Sequence, residues 1–453
     1  MDRVMIFAAA ACLLACPPPH PTIDAGEDAG EDAGVDAGRP RGDDPPTGWS
    51  TAIEMAADAS VTTRLGASVA SAGDKYGQPL IAGVYDDPNG DGSGLDTRVF
   101  FTRWNGTDRK FDDLKTVEVV GNIALANPMR QVAIARNAET EQIGIVYVKS
   151  PDLIRYAWSD DEGANFSLQT VSNAAGLQPI NPQLAMKGDT LWVGYATSDR
   201  RVVVRKRVGA GAFVDSEAPV PPGTSNVVAL PISLQLDSAG NPGLLYFASS
   251  AGVPTITLAF WRPGTATSTV IADSALVQLL GVIGRDPSAT LSFAGDKPRA
   301  AFHLRHVSPT LLADGGVDPA DDTPELFYAA ATDAAGITWS APVPMPRNGD
   351  GLKYNSTRWY QGLVVDASGR ISLAADFAAN GIVGGQCAGP KLARSTDGMS
   401  FTTCSPSQTP FNFAGDWLSL WPHNAAGKLT MIFYYDLRTN PLAKPGVAMW
   451  REP

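Results

Sequence analysis

Residues 152–166 read DLIRYAWSDDEGANF, and the stretch divides into two halves with different chemistry. The first half alternates, with Leu153, Arg155 and Ala157 on one face and Ile154, Tyr156 and Trp158 on the other, which predicts a β-strand. The second half is a turn. Ser159 and Asp161 carry short oxygen-bearing side chains that accept hydrogen bonds from turn amides, Gly163 supplies a positive φ, and Phe166 offers an apolar plug for the strand pair that follows. The unit recurs in weakened form as LARSTDGMSF, Leu392 to Phe401, and as FYAAATDAAGITW, Phe327 to Trp339. Recurrence of one strand–turn unit at distant places indicates a repeat architecture.

Outward from this unit, seven apolar strand cores follow one another: Leu80-IAGVY, Ile143-GIVYV, Leu191-WVGYA, Gly243-LLYFA, Arg299-AAFHL, Ile371-SLAAD and Leu429-TMIFYYD. Their starts are roughly 50–70 residues apart, longer than the roughly 40–50 of a plain four-stranded propeller blade, so several repeats carry inserted loops. The low charged fraction of 18 % and the abundance of Gly (45) and Pro (35) fit an all-β chain with many turns. The Ser-x-Asp-x-Gly-x-x-Trp/Phe turn resembles the Asp-box, or bacterial neuraminidase repeat, β-propellers. That resemblance implies a propeller of four-stranded blades; the seven strand cores count seven of them, with six blades, the number in sialidases proper, as the alternative. The last repeat holds three strands, Trp417-LSLW, Leu429-TMIFYYD and Val447-AMWR. Gly48 to Met55 echoes Thr338 to Met345, the outer-strand slot of the fifth repeat. Residues 48–56 are therefore expected to pair around Val447 to Trp450, complete blade 7 and close the ring, which removes an open sheet edge.

The chain begins differently. Arg3 precedes an apolar run ending Leu13-Leu14-Ala15-Cys16, too short to span a bilayer as a helix. It reads as a signal peptide over residues 1–15 with a lipobox, cleaved before Cys16 and lipidated there. Residues 16–47 contain the repeat Asp-Ala-Gly-Glu/Val from Asp24 and hold about half of the formal charge of −12. With little to bury and like charges that repel, this segment is expected to be a disordered tether. No Asp follows Cys16, which points to a bacterial cell envelope location at the outer membrane. Residues 48–453 form the propeller domain, expected to be monomeric. The acidic balance argues against a nucleic-acid partner. Cys12 leaves with the signal and Cys16 takes lipid, so Cys387 and Cys404 remain as an even pair in an oxidising compartment and are expected to form a disulfide.

Long segments at Asp86 to Thr97, Arg305 to Pro324, Phe377 to Pro390 and Leu437 to Pro445 fall in blades 1, 5, 6 and 7, neighbours once the ring closes. Long loops on a rigid scaffold are where binding usually sits. The rim of that face is expected to carry Asp86, Arg130, Arg305, Arg358, Asp376, Asp416, Trp417, Asp436 and Arg438, with Trp359 and Tyr360 beside them as stacking surfaces. The equivalent positions in blades 3 and 4 are mostly neutral, such as Gln183, Ser198, Ser233 and Ser249. Asp–Arg pairs that merely clip neighbouring blades together are the competing account of this cluster. Asp87-Pro-Asn89-Gly-Asp91-Gly92 has alternating oxygen ligands and a glycine turn, a candidate calcium loop, although Arg98 stands where a twelfth-position Glu would be. Gly415-Asp416-Trp417 followed by Phe433-Tyr-Tyr-Asp436-Leu-Arg438 looks like the Gly-Asp-Tyr and Trp-Thr-Asp-x-Arg pair of sialidase-like lipoproteins, with Trp417 in place of the usual Tyr. The Phe/Tyr-Arg-Ile-Pro motif that carries a sialidase's first arginine is absent. Together these features lead to the expectation of a surface lipoprotein whose face binds a glycan or a protein, with a sialidase-like exo-glycoside hydrolase as the alternative.

Overall fold

The structure is a computed structural model describing residues 44–54, 65–88, 95–121, 131–150, 153–173, 178–228, 231–249, 256–274, 288–305, 324–344, 353–354, 362–378, 389–405, 415–424, 426–435 and 446–453; at several strand ends only the backbone is described. Seven antiparallel sheets follow one another along the chain, with no helix among the described residues. Every one of the seven apolar cores is the second strand of its sheet, from Pro79–Pro88 in blade 1 to Leu429–Tyr435 in blade 7. The inner strands touch in order around the ring, and that of blade 7, Gly415–Pro422, returns to that of blade 1, Leu65–Gly73. The chain is a seven-bladed β-propeller.

Closure follows the expected route. Gly48–Glu54 lies antiparallel to Gly446–Arg451, with Trp49 opposite Trp450 and Ser50 opposite Met449. Trp49 meets the Phe433 ring edge-on at 5.7 Å. The seam is also held just before this strand. Asp44 accepts from Gln78 Nε2 (3.2 Å) and pairs with Arg451 (3.5 Å), a side chain only 3 % exposed. Trp421 Nε1 donates to the Gly77 carbonyl across the same seam.

The core is divided into seven apolar layers, one between each pair of neighbouring blades. Val69, Ile81 and Phe100 of blade 1 pack on Trp421, Ile432 and Met449 of blade 7, and equivalent layers repeat around the ring. Both faces of each sheet are thus covered, so the second strands read as continuous apolar runs rather than as alternation. The third strand of blade 2, Leu153–Ser159, is covered on both faces as well: Ala157, placed on the more polar face by its alternation, is fully buried along with Ile154 and Tyr156.

The blades depart from a plain four-strand pattern in three places. The inner strands of blades 4 and 6 are each split, into Asn226–Val227 with Ser233–Leu236 and Lys353–Tyr354 with Gly362–Val365. In blade 1 a short ribbon at Lys110–Phe111 precedes the outer strand, Lys115–Gly121.

Candidate functional site

One face of the ring is built from hairpin turns of two recurring kinds. The first is the Ser/Asp turn between third and outer strands. Ser159 Oγ donates to Asp161 Oδ1 (2.7 Å) and accepts the Gly163 amide (2.8 Å), while Asp161 accepts the Asn165 amide (2.8 Å). Ser395 and Asp397 repeat the pattern toward Gly398, Met399 and Ser400. In the third copy Asp333 accepts the Ile337 and Thr338 amides without a Ser partner. The aromatic that closes each turn packs on the third strand of the preceding blade: Phe166 on Phe101 (5.4 Å), Trp339 on Phe260 (5.5 Å) and Phe401 on Tyr328 (5.6 Å). These turns are inter-blade staples. Their carboxylates are held deeply ionised, Asp161 at about 2 by Ser159 and Asn165, and Asp397 at about 2 by the Ser400 and Met399 amides and Ser395.

The second kind joins inner and second strands on the same face. Asp74, Asp237 and Asp366 each accept the amides two and four residues on, Tyr76 and Gln78, Ala239 and Asn241, Ser368 and Arg370. A glycine three residues after the Asp takes a positive φ each time, as at Gly77, Gly240 and Gly369.

Several charges on this face form clips between blades. Arg262 donates to Asp237 (3.0 Å) and crosses to the carbonyls of Asp296 and Ala334 in blade 5. Arg103 of blade 1 pairs with Glu162 of blade 2, and Arg394 of blade 6 with Glu452 beyond the last strand of blade 7. Toward the opposite end of the sheets, where Lys149 lies near the end of the second strand of blade 2 and Arg155 near the start of the third, Glu118 of blade 1 is held by the Tyr147 hydroxyl, Lys149 and Arg155. Burial alone would raise the Glu118 pKa; its Lys149, Tyr147 and Arg155 partners outweigh that and lower it. Burial and then Glu118 push the Tyr147 phenol far up, so this Tyr–Glu pair is the opposite of an activated nucleophile.

Several of the residues expected at the rim stand at the opposite end of the sheets. Arg305 ends its strand opposite Pro324, Asp376 lies opposite Pro390, Asp416 opposite Tyr434, and Asp86 and Asp87 opposite Thr97 and Asp96. These are strand ends of blades 5, 6, 7 and 1, consecutive in the closed ring, and Trp417 follows Asp416 on the inner strand of blade 7. Arg130, Arg358, Trp359, Tyr360, Asp436 and Arg438 lie outside the described residues, as do Asn89 and Asp91 of the candidate calcium loop, Cys16 and Cys387. Cys404 stands on the outer strand of blade 6, Thr402–Ser405, described by its backbone. On the neutral side, Ser198 Oγ accepts the Gln178 amide (3.2 Å) and Ser233 Oγ accepts the Leu291 amide (2.9 Å) from blade 5. Those two side chains serve the scaffold.

Along the ring axis, strands from all seven blades surround a cavity of about 390 Å³. Sequence reasoning missed both this cavity and the inner-hairpin Asp turns. The turns had a readable signal in the spacing of Asp74 to Gly77, Asp237 to Gly240 and Asp366 to Gly369.

No known family profile matches the chain, and no curated protein matches it in sequence. Solved structures do match in shape. A lectin from Burkholderia pseudomallei superposes with a TM-score of 0.50 at 12 % identity, covering 84 % of this chain and 99 % of the lectin. An α-L-arabinofuranosidase from Fusarium graminearum, solved with an iminosugar inhibitor, superposes with a TM-score of 0.50 at 9 % identity, covering 89 % and 97 %. Both likenesses are of fold.

Proposed function

We propose that this chain is a lipid-anchored envelope propeller that binds a glycan on the face opposite its Ser/Asp turns. The observation that carries the proposal is positional: Arg305, Asp376, Asp416 and Asp86 stand at the same end of four consecutive blades, opposite the face where Arg103 with Glu162 and Arg394 with Glu452 form clips. Charged and aromatic side chains concentrated on one side of a ring suit a polyhydroxylated ligand, which needs bidentate hydrogen bonding and an apolar surface for its C–H face. The two similar structures bear carbohydrate-related names, a lectin and an arabinofuranosidase, which supports that ligand class over a protein. The chain is read as an Asp-box, sialidase-like propeller anchored through Cys16, with Cys387 bonded to Cys404 and calcium at Asp87, Asn89 and Asp91.

The second reading is a sialidase-like exo-glycoside hydrolase, favoured by Gly415-Asp416-Trp417 and Asp436-Leu-Arg438 in the last blade. A glycan array probed with the mature chain, beside a panel of aryl glycosides that includes sialosides, separates the two. Retention on the array without turnover supports the binding protein. Release of the aryl group, abolished by Asp416→Ala, would establish the hydrolase. Silence in both assays would remove glycan chemistry from this face.

A further inference from the structure

Exposed apolar side chains are not spread evenly over this propeller. Among the described residues seven large ones are exposed, and five of them stand at or just beside the turns between third and outer strands. They are Leu168 in blade 2, Val208 and Val214 in blade 3, Ile337 in blade 5 and Met399 in blade 6. Single exposed apolar residues are ordinary on any surface, whereas several gathered on one face mark a contact. The turns themselves do not require them. Ile337 and Met399 serve the turn through their backbone amides, given to Asp333 and Asp397. Asn165 makes the same bond to Asp161 in the first copy and carries a polar side chain. Yet Ile337 is 70 % exposed, Met399 67 % and Val214 66 %. Side chains so exposed add little to the core, and what they can still gain is burial against something outside the chain.

The same face receives the start of the domain. Asp44 accepts from Gln78 Nε2, at the end of the inner hairpin turn of blade 1, and pairs with Arg451, whose backbone lies opposite Gly48. Residues 16–43 run from Cys16 to Asp44, so a chain held by lipid at Cys16 is held from the side of the turns. The turns carry both signs of charge in exposed positions, Lys75, Lys110 and Lys297 with Glu141, Glu162 and Asp296. That mixture suits zwitterionic headgroups better than a strongly anionic surface.

We infer that the turn face lies against a lipid bilayer, with Val214, Ile337 and Met399 seated at the boundary between headgroups and acyl chains, and that the glycan face is turned away from the membrane. The inference rests on the lipid anchor proposed above and adds the orientation of the domain to it.

Hydroxyl-radical footprinting read by mass spectrometry tests it. The mature lipidated chain, floated on vesicles of phosphatidylethanolamine and phosphatidylcholine, is compared with the Cys16→Ser chain in buffer. Val214, Ile337 and Met399 should be modified at least about fivefold more slowly on the vesicles. Val220, 50 % exposed on the connection between blades 3 and 4 at the other face, should react equally in both. Equal modification of the three tips in both samples, or equal shielding of Val220, overturns the orientation, while flotation of the mature chain leaves the anchor standing. A mature chain that does not float overturns the anchor and the orientation with it. Tips shielded in intact envelopes but not on the vesicles assign the face to a protein partner and overturn the lipid contact.

Discussion

Gly163 shows how much a single position carries. Its φ is +88°, and a Cβ there would lie 2.2 Å from the Phe101 ring of the neighbouring blade. Gly163→Ala therefore meets backbone strain and a clash together, and we expect a loss of about 2–4 kcal/mol, read as a lower urea midpoint at unchanged slope. Protonation acts through two kinds of residue. Asp161 and Asp397, each held at about 2 against an ordinary 3.8, favour the fold at full strength above pH 3.8, and that benefit is lost as pH falls through 2. His423 acts earlier. Burial, then the Arg451 charge, depresses it from 6.5 to about 4, with its Nδ1 beside Thr430 Oγ1 at 3.1 Å. Its contribution is complete above pH 6.5 and is lost progressively down to pH 4, because the unfolded chain takes up a proton that the fold refuses. Thermal melts of His423→Gln from pH 7 to pH 4 should therefore decline less steeply than those of the parent chain. A parallel decline in the two proteins would contradict the burial of neutral His423.

At the level of strands and turns, closure is the testable feature. Deleting residues 44–54 removes the Trp49 ring from Phe433 and leaves Arg451 buried without Asp44. It also exposes Gly446–Arg451 as a free edge. The deletion should lower the melting temperature and produce concentration-dependent light scattering. A variant with the parent's melting temperature and no added light scattering would mean the ring closes without this strand. The closing strand was legible because Gly48-Trp49-Ser50 echoes an outer strand elsewhere, and because the last repeat was one strand short. The Ser/Asp turns were legible because their geometry demands particular residues at fixed offsets. The split inner strands of blades 4 and 6 were not, since a break in hydrogen bonding leaves the apolar pattern intact. The Asp366 type of turn escaped notice for another reason: an Asx turn preceding a glycine is common in any β chain, and only its repetition at one place in each blade gives it meaning.

The whole molecule divides its chemistry between two ends. The turn face is specified residue by residue, through Asp and Ser acceptors, positive-φ glycines and paired arginines, because a propeller holds its blades together there. The opposite face carries the connections between blades, whose sequences vary in length and share no repeat, so periodicity could mark where the face lies but not what it holds. Asp376, Arg305 and Asp416 stand at strand ends on that side. On the turn face Arg103 with Glu162 and Arg394 with Glu452 clip neighbouring blades, while Arg370 and Asp366 pair within one hairpin.

Hydrogen–deuterium exchange of the mature chain with and without a glycan retrieved from the array tests the central claim most directly. Bound glycan should slow exchange at the strand ends around Arg305, Asp376 and Gly415–Asp416, and leave the turns at Ser159–Phe166 and Ser395–Phe401 unchanged. Protection centred on those turns, or spread evenly around all seven blades, would contradict a binding face on the far side of the ring.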